Sequence, residues 1–321
     1  MEELDHATIL GTGTMAPSIA TAFAAAGIDV TIWGRRADAV THAVEQTHAA
    51  TTWLHSEGLT TDRLGAIDGS DRLEDAVDGA TLAVEAVSED TRVKRELYAR
   101  VEAVADPSMV LASTTSGLGP DELAADVDHP ERFLVLHFWN PAHLIPLVEV
   151  LGGTRTDPQL VTQASRLLRR MGKHPVELHR FVPGFIGTRL QQAVVREAIA
   201  LFEAGVADAA DIDAATRLSF GARFPVMGPL ETCDLGGLDV VAAIHDYLLA
   251  DLDTSDAPQP ALTRRVDHGQ LGAKTGRGFY DWTDRDAGAL SSDRDRELLD
   301  RIRRLRAQGQ LAVPSAGWDH P

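Results

Sequence analysis

Residues 7–16 read ATILGTGTMA, and the fold follows from how this stretch continues. ATILG is an apolar run of strand length, and GTGTMA, from Gly11 to Ala16, is a G-x-G-x-x-A sequence directly behind it. A small-residue helix to Ala26 follows, Gly27 caps it, and Asp29 to Trp33 reads as a second strand. A β-α-β unit of about thirty residues around such glycines is the setting of a dinucleotide-binding turn. Gly11 allows the tight turn, Gly13 lets the backbone approach a pyrophosphate, and Ala16 lets the helix pack on the strand. Thr14 and Met15 open the helix, whose free N–H groups meet the phosphates.

The end of the second strand bears on which dinucleotide binds. An acidic residue there accepts the ribose 2′-hydroxyl of NAD. This chain has Gly34, followed by Arg35 and Arg36. Two guanidinium groups and no carboxylate favour the 2′-phosphate of NADP over NAD, since a guanidinium binds phosphate bidentately. The alternative is that both arginines are solvated at a helix start.

Further along, residues 37–79 are polar and helical in period, with turns at Gly58, Gly65 and Gly69. TLAVEAV, 81–87, is a strand leading into an amphipathic helix with Val93, Leu97 and Val101 on one face. Glu89 and Lys94 stand where ligands bind in open parallel sheets, beyond a strand's C-terminal end; the alternative for Glu89 is that it only favours the N-terminus of its helix. The segment Ser113–Val150 holds three groups able to act together. Ser116 follows the run Met109–Ala112, His137 ends the run Phe133–Leu136, and Glu149 lies inside Leu147–Leu151. An ionised Glu among apolar neighbours needs a partner, and a carboxylate fixes the tautomer of a histidine. The spacing alone leaves a purely structural ion pair open. Pro158–Met171 reads as a helix and His174–Leu178 as a last strand. Beyond HRFVPGFIGT, 179–188, everything reads helical. The expectation is therefore an α/β protein with an N-terminal Rossmann-type domain over 1–182 and an all-helical C-terminal domain over 183–321.

The 321 residues carry 48 acidic against 30 basic side chains, a net charge of −18, which argues against nucleic acid or an anionic membrane as partner. Only Lys94, Lys173 and Lys274 are lysines. Acid excess with so little lysine points to a salt-rich, halophilic cytoplasm, where ions screen the self-repulsion; stability indifferent to molar KCl would refute this, and the alternative is an acidic protein of a GC-rich mesophile. The N-terminus resembles neither a signal nor a transit peptide, and one cysteine, Cys233, allows no intrachain disulfide. A cytoplasmic location is expected, and no metal ligand set is expected.

Together these segments resemble the L-3-hydroxyacyl-CoA dehydrogenase family over essentially the whole chain. The match is carried by GTGTMA, VEAVSEDTRVK at 84–94, ASTTSGL at 112–118, HFWNPAHLIPLVEV at 137–150, GKHPVELHRFVPGFIGTRL at 172–190, GPLETCDLGGLD at 228–239 and KTGRGFY at 274–280. The resemblance implies that His137 is the catalytic base, Glu149 its carboxylate partner, and Ser116 a donor to the substrate oxygen. It places Glu89 and Lys94 on the cofactor side. It also implies a homodimer formed through the helical domain and a part in fatty acid metabolism. Three departures stand out. Thr188 replaces the family's Asn at a catalytic-site position, Thr114 replaces the Asn of S-N-T-S, and residues 37–79 contain no lysine where the CoA enzymes carry a Lys-rich helical hairpin. The resemblance favours a 3-hydroxyacyl-CoA substrate; relatives that act on free hydroxy acids or small alcohols share the same core. A non-enzymatic nucleotide-binding or redox-sensing protein is the alternative of another class. Decarboxylating 3-hydroxyacid dehydrogenases are excluded, because no lysine lies between Lys173 and Lys274 to serve as their base.

Overall fold

Short, β-branched or fully apolar runs punctuated by Gly and Pro form the strands, and each lies where a neighbour covers it. The computed structural model describes residues 4–315. Eight strands form one sheet: β1 (His6–Leu10), β2 (Asp29–Trp33), β3 (Ile67–Ser70), β4 (Leu82–Glu85), β5 (Val110–Ser113), β6 (Phe133–Phe138), β7 (Leu147–Gly152) and β8 (His174–Glu177). Their order is β3-β2-β1-β4-β5-β6-β7-β8. All neighbouring pairs are parallel except β6 and β7. Strand order reverses between β1 and β4, and a ligand crevice opens at such a switch point.

Helices α1 (Met15–Ala25), α2 (Ala37–Ser56), α3 (Leu73–Val77), α4 (Thr91–Glu102), α5 (Pro120–Leu123) and α6 (Pro158–Arg170) cover the sheet. On one face Ile19 and Phe23 of α1, Ala43 of α2 and Leu167 of α6 pack on Ile9, Val84 and Leu136. On the other, Ala76 of α3, Leu97 and Val101 of α4 and Leu123 of α5 pack on Leu10, Leu111 and Phe133. The strand β3 went unrecognised in the polar stretch 37–79. Its sequence, IDGS, has no apolar pattern because it is an edge strand that α2 overlies closely. A Cβ at Gly69 would lie 2.5 Å from Val40 of α2.

The remaining helices are α7 (Gly187–Glu203), α8 (Ala209–Leu218), α9 (Phe220–Arg223), α10 (Pro229–Gly236), α11 (Leu238–Leu248), α12 (Pro260–Asp267) and α13 (Ala287–Ala307). The chain forms two compact units, one holding residues up to Ile186 and those from Asp293 on, the other Gly187–Ser292. This differs from a single cut after residue 182. Leu299 and Ile302 of α13 are buried in one cluster with Ala25, Leu54, Leu59 and Leu144, and Arg303 pairs with Glu57 at 2.6 Å. The last helix from Asp293 on thus belongs to the sheet-containing unit. Within the other unit, Arg265 of α12 lies over the rings of Phe202 and Phe279, 4.9 and 4.4 Å from their centroids, fixing the glycine-rich loop 272–280 against α7.

Candidate active site

The antiparallel register of β6 and β7 makes His137 and Glu149 direct partners. Both are buried, at 5% and 1% exposure, and His137 Nδ1 lies 2.7 Å from Glu149 Oε2. A carboxylate there holds the proton on Nδ1 and leaves the Nε2 lone pair for chemistry. The other carboxylate oxygen accepts the Ile186 N–H at 2.8 Å, and Trp139 Nε1 donates to Oε2 at 3.4 Å. Trp139 and Phe185 flank the imidazole, with ring centroids 5.7 and 5.3 Å away. Phe185 adopts φ 49°. A bulky side chain in the left-handed region costs about 1–3 kcal/mol and persists where the surroundings demand it. Here the turn buries the Phe185 ring against the histidine and aims the next N–H at Glu149.

Ser116 is exposed in the loop after β5, and its N–H donates to Glu89 Oε1 at 2.9 Å. Thr115 Oγ1 donates to the same oxygen, and Lys94 Nζ lies 3.2 Å from the other. Burial raises the Glu89 carboxyl, but the Thr115 bond, the Lys94 charge and the Ser116 amide outweigh it and hold its pKa below the ordinary value. Lys94 stands behind this residue, only 1% exposed, with Nζ 2.7 and 2.9 Å from the oxygens of Glu85. Glu85 is itself fully buried and also accepts from Tyr98, Ser113 and the Val87 N–H. The chain Glu85–Lys94–Glu89 thus runs from the sheet interior to the loop bearing Ser116. Sequence reading placed Glu89 and Lys94 near the cofactor and overlooked Glu85. The signal was there: Glu85 sits in the apolar run TLAVEAV just as Glu149 sits in LVEVL.

A cleft of ≈ 570 Å³ opens at the switch point, lined by Gly11 to Met15, Trp33 to Arg35, Ala86 to Ser88 and the α4 residues Val93, Leu97 and Arg100, among others. Gly11 has φ 136°, and a Cβ there would strike the Ala86 carbonyl at 2.6 Å. A Cβ at Gly13 would meet no protein atom and would stand in open space, where a phosphate group can approach the backbone. The cradle therefore fits a dinucleotide. A Cβ at Gly34 would lie 2.5 Å from Thr12 Cγ2, so no carboxylate-bearing side chain fits without a shift. Arg35 lines the cleft. Arg36 does not, because it turns away to pair with Asp38 in the first turn of α2. Arg100, which the sequence did not single out, lies over the Trp33 ring at 5.4 Å. Thr188 is the second residue of α7, in the other unit.

Residues 6–181 match the model of the 3-hydroxyacyl-CoA dehydrogenase NAD-binding domain, and 184–282 match that of the C-terminal domain. The chain belongs to the 3-hydroxyacyl-CoA dehydrogenase family. It is a nicotinamide-dependent oxidoreductase. It is 36% identical to an L-carnitine dehydrogenase of Streptomyces griseus over 97% of this chain and 92% of that one. A crystal structure of 5-formyl-3-hydroxy-2-methylpyridine 4-carboxylic acid 5-dehydrogenase, described as an NAD+-dependent dismutase, superposes with a TM-score of 0.90. It is 32% identical and covers 95% of this chain and 99% of its own. The (S)-3-hydroxybutyryl-CoA dehydrogenase PaaH1 from Ralstonia eutropha gives 0.70 at 27% identity, covering 88% of this chain and 100% of its own.

Proposed function

We propose that this family member oxidises or regenerates a hydroxyl group on a small substrate without a CoA carrier, using NADP in preference to NAD. The observation that carries the CoA-free reading is the segment after β2. The family resemblance places CoA phosphates on a Lys-rich helical hairpin there, whereas this chain has the single helix α2, with α13 packed beside its end. Residues 37–79 hold nine acidic side chains and two arginines. Arg63 is bound to the Gly27 carbonyl and Asp29, and Arg72 to Asp75. An acidic surface with its few cations already paired is a poor seat for phosphates. The relatives acting on carnitine and on a pyridine carboxylate support the same reading. A 3-hydroxyacyl-CoA thioester is the second reading, favoured by the family's own substrate and by the PaaH1 likeness.

In the proposed mechanism His137 Nε2 takes the hydroxyl proton as the carbonyl forms, and Glu149 balances the imidazolium. The nicotinamide, when bound, accepts the hydride from carbon. Ser116 donates to the substrate oxygen. In the reducing direction His137 returns the proton to the developing alkoxide. Gly34 and Arg35 support NADP, since the first removes the acidic acceptor and the second supplies a guanidinium. A homodimer in a salt-rich cytoplasm completes the proposal. The test is cofactor turnover in high KCl with acetoacetyl-CoA, acetoacetate and carnitine side by side, each with both nucleotides. Turnover of the thioester alone would refute the CoA-free reading. Equal use of NADPH and NADH would refute the cofactor preference.

A further inference from the structure

Behind the active site lies a second cluster of cationic side chains that the reaction does not use. A small cavity of ≈ 20 Å³ is lined by Lys173, His143 and Arg306, with Leu59, Met171 and Leu311 among its apolar walls. That volume admits one water-sized particle. Lys173 is 6% exposed, and its ammonium donates to two backbone carbonyls, Ala142 at 2.5 Å and Ile145 at 3.1 Å. Among the described residues it forms no ion pair. Arg306 reaches the Leu59 carbonyl at 3.4 Å through both terminal nitrogens, while its Nε is buried without a partner. His143 Nδ1 is 2.9 Å from Ser18 Oγ. Among the described residues no carboxylate lines the cavity. The nearby Asp295, whose charge acts on His143, is paired with Arg294 at 2.7 Å.

Among the described residues, two cations thus face one apolar cavity with only carbonyl dipoles against them. Uncompensated buried charge is costly, and a water molecule does not neutralise it. Burial, and secondarily the Arg306 charge, pushes the Lys173 pKa down to about 7; burial and then Lys173 push His143 to about 4. Both shifts mark a site in which negative charge is wanting.

We propose that this cavity binds a single halide ion, chloride in the cell, held between the Lys173 ammonium, the Arg306 Nε–H and the His143 ring. The size excludes phosphate and sulfate, and the apolar walls suit a weakly hydrated monatomic anion. Once seated, the ion ties three elements together. Arg306 belongs to α13, Lys173 precedes β8, and His143 lies in the β6–β7 loop that joins the strands bearing His137 and Glu149. The halide is a rivet between the C-terminal helix and the back of the catalytic loop.

Two experiments on the full chain decide this. Thermal unfolding is followed from millimolar to molar potassium chloride and, at matched potassium, potassium glutamate, whose anion is too large for the cavity. Wild type should gain roughly 5 °C more from chloride than from glutamate, and Arg306→Met should lose that excess. An equal excess in both proteins, or none in wild type, would overturn the site. Crystals of wild type grown with bromide should show an anomalous peak between Lys173 Nζ and Arg306 Nε. Its absence would overturn the proposal even if Arg306→Met failed to fold.

Discussion

At the scale of single residues, the His137–Glu149 pair and the Glu85–Lys94 pair look alike and do different things. His137→Ala removes the base, and turnover should fall about 10²- to 10⁴-fold while the nucleotide still binds, which stopped-flow rates and equilibrium titration of NADPH together would check. Turnover close to wild type would refute the assigned base. Lys94→Met leaves Glu85 charged in the sheet interior and removes one support of Glu89. The expected cost is about 3–5 kcal/mol, the usual penalty for orphaning a buried charge. Lys94→Met combined with Glu85→Met should cost less than Lys94→Met alone. Denaturant unfolding of both proteins tests this, and a more costly double change would contradict it. The first pair was legible in the sequence because each member ends or interrupts an apolar run within one short segment. The second was half hidden. Tyr98 and Ser113, 13 and 28 residues from Glu85, meet it only through the packing of α4 and β5 on β4. Phe185 and its positive φ left no sequence mark beyond the preceding Gly184.

At the scale of elements, the glycine pattern and the strand runs anticipated the sheet, since period and punctuation are local properties. What a helix docks on is not local, so α13 reads as one more amphipathic helix of the C-terminal half. Its buried face belongs to α1 and α2. Leu299→Ala should therefore destabilise the sheet-containing unit by about 2–5 kcal/mol, seen as a lower denaturant midpoint for the near-ultraviolet signal of its tryptophans. An unchanged midpoint would mean that α13 is not part of that core. The element before β8 supplies a pH dependence. Lys173 has a pKa of about 7 in the folded chain against 10.5 when exposed. Below about pH 7 it is protonated in both states, so the folded chain bears the whole cost of the buried charge. Between about 7 and 10.5 the unfolded chain holds the extra proton, so stability rises with pH. In chloride-free buffer wild type should become more stable across this window, and Lys173→Met should show a flatter profile. Parallel profiles would exclude Lys173 as the source.

At the scale of the molecule, two features oppose each other. The net charge of −18 makes copies of the chain repel, while the unit Gly187–Ser292 leaves large apolar side chains uncovered. Leu218, Val226, Leu230 and Leu235 are 76–81% exposed, and helices α8 to α11 contain no buried residue. Large apolar side chains left uncovered on a four-helix stretch without buried residues are the kind of surface that a protein partner covers. A second copy is the occupant that the family resemblance implies. Burying these side chains contributes about 25 cal/mol per Å² whatever the ionic strength, whereas the repulsion between protomers fades as the Debye length shrinks to about 3 Å at molar salt. Dimerisation should therefore tighten as KCl rises, the reverse of an interface held by ion pairs. Light scattering across a KCl series should show a mass near twice 34.5 kDa in high salt, with dissociation favoured as salt is withdrawn. Leu230→Glu should shift the equilibrium toward monomer at every salt concentration. A wild-type monomer in molar KCl would remove the dimer, and an affinity that falls with salt would show that charge pairs, not these leucines and valines, hold it.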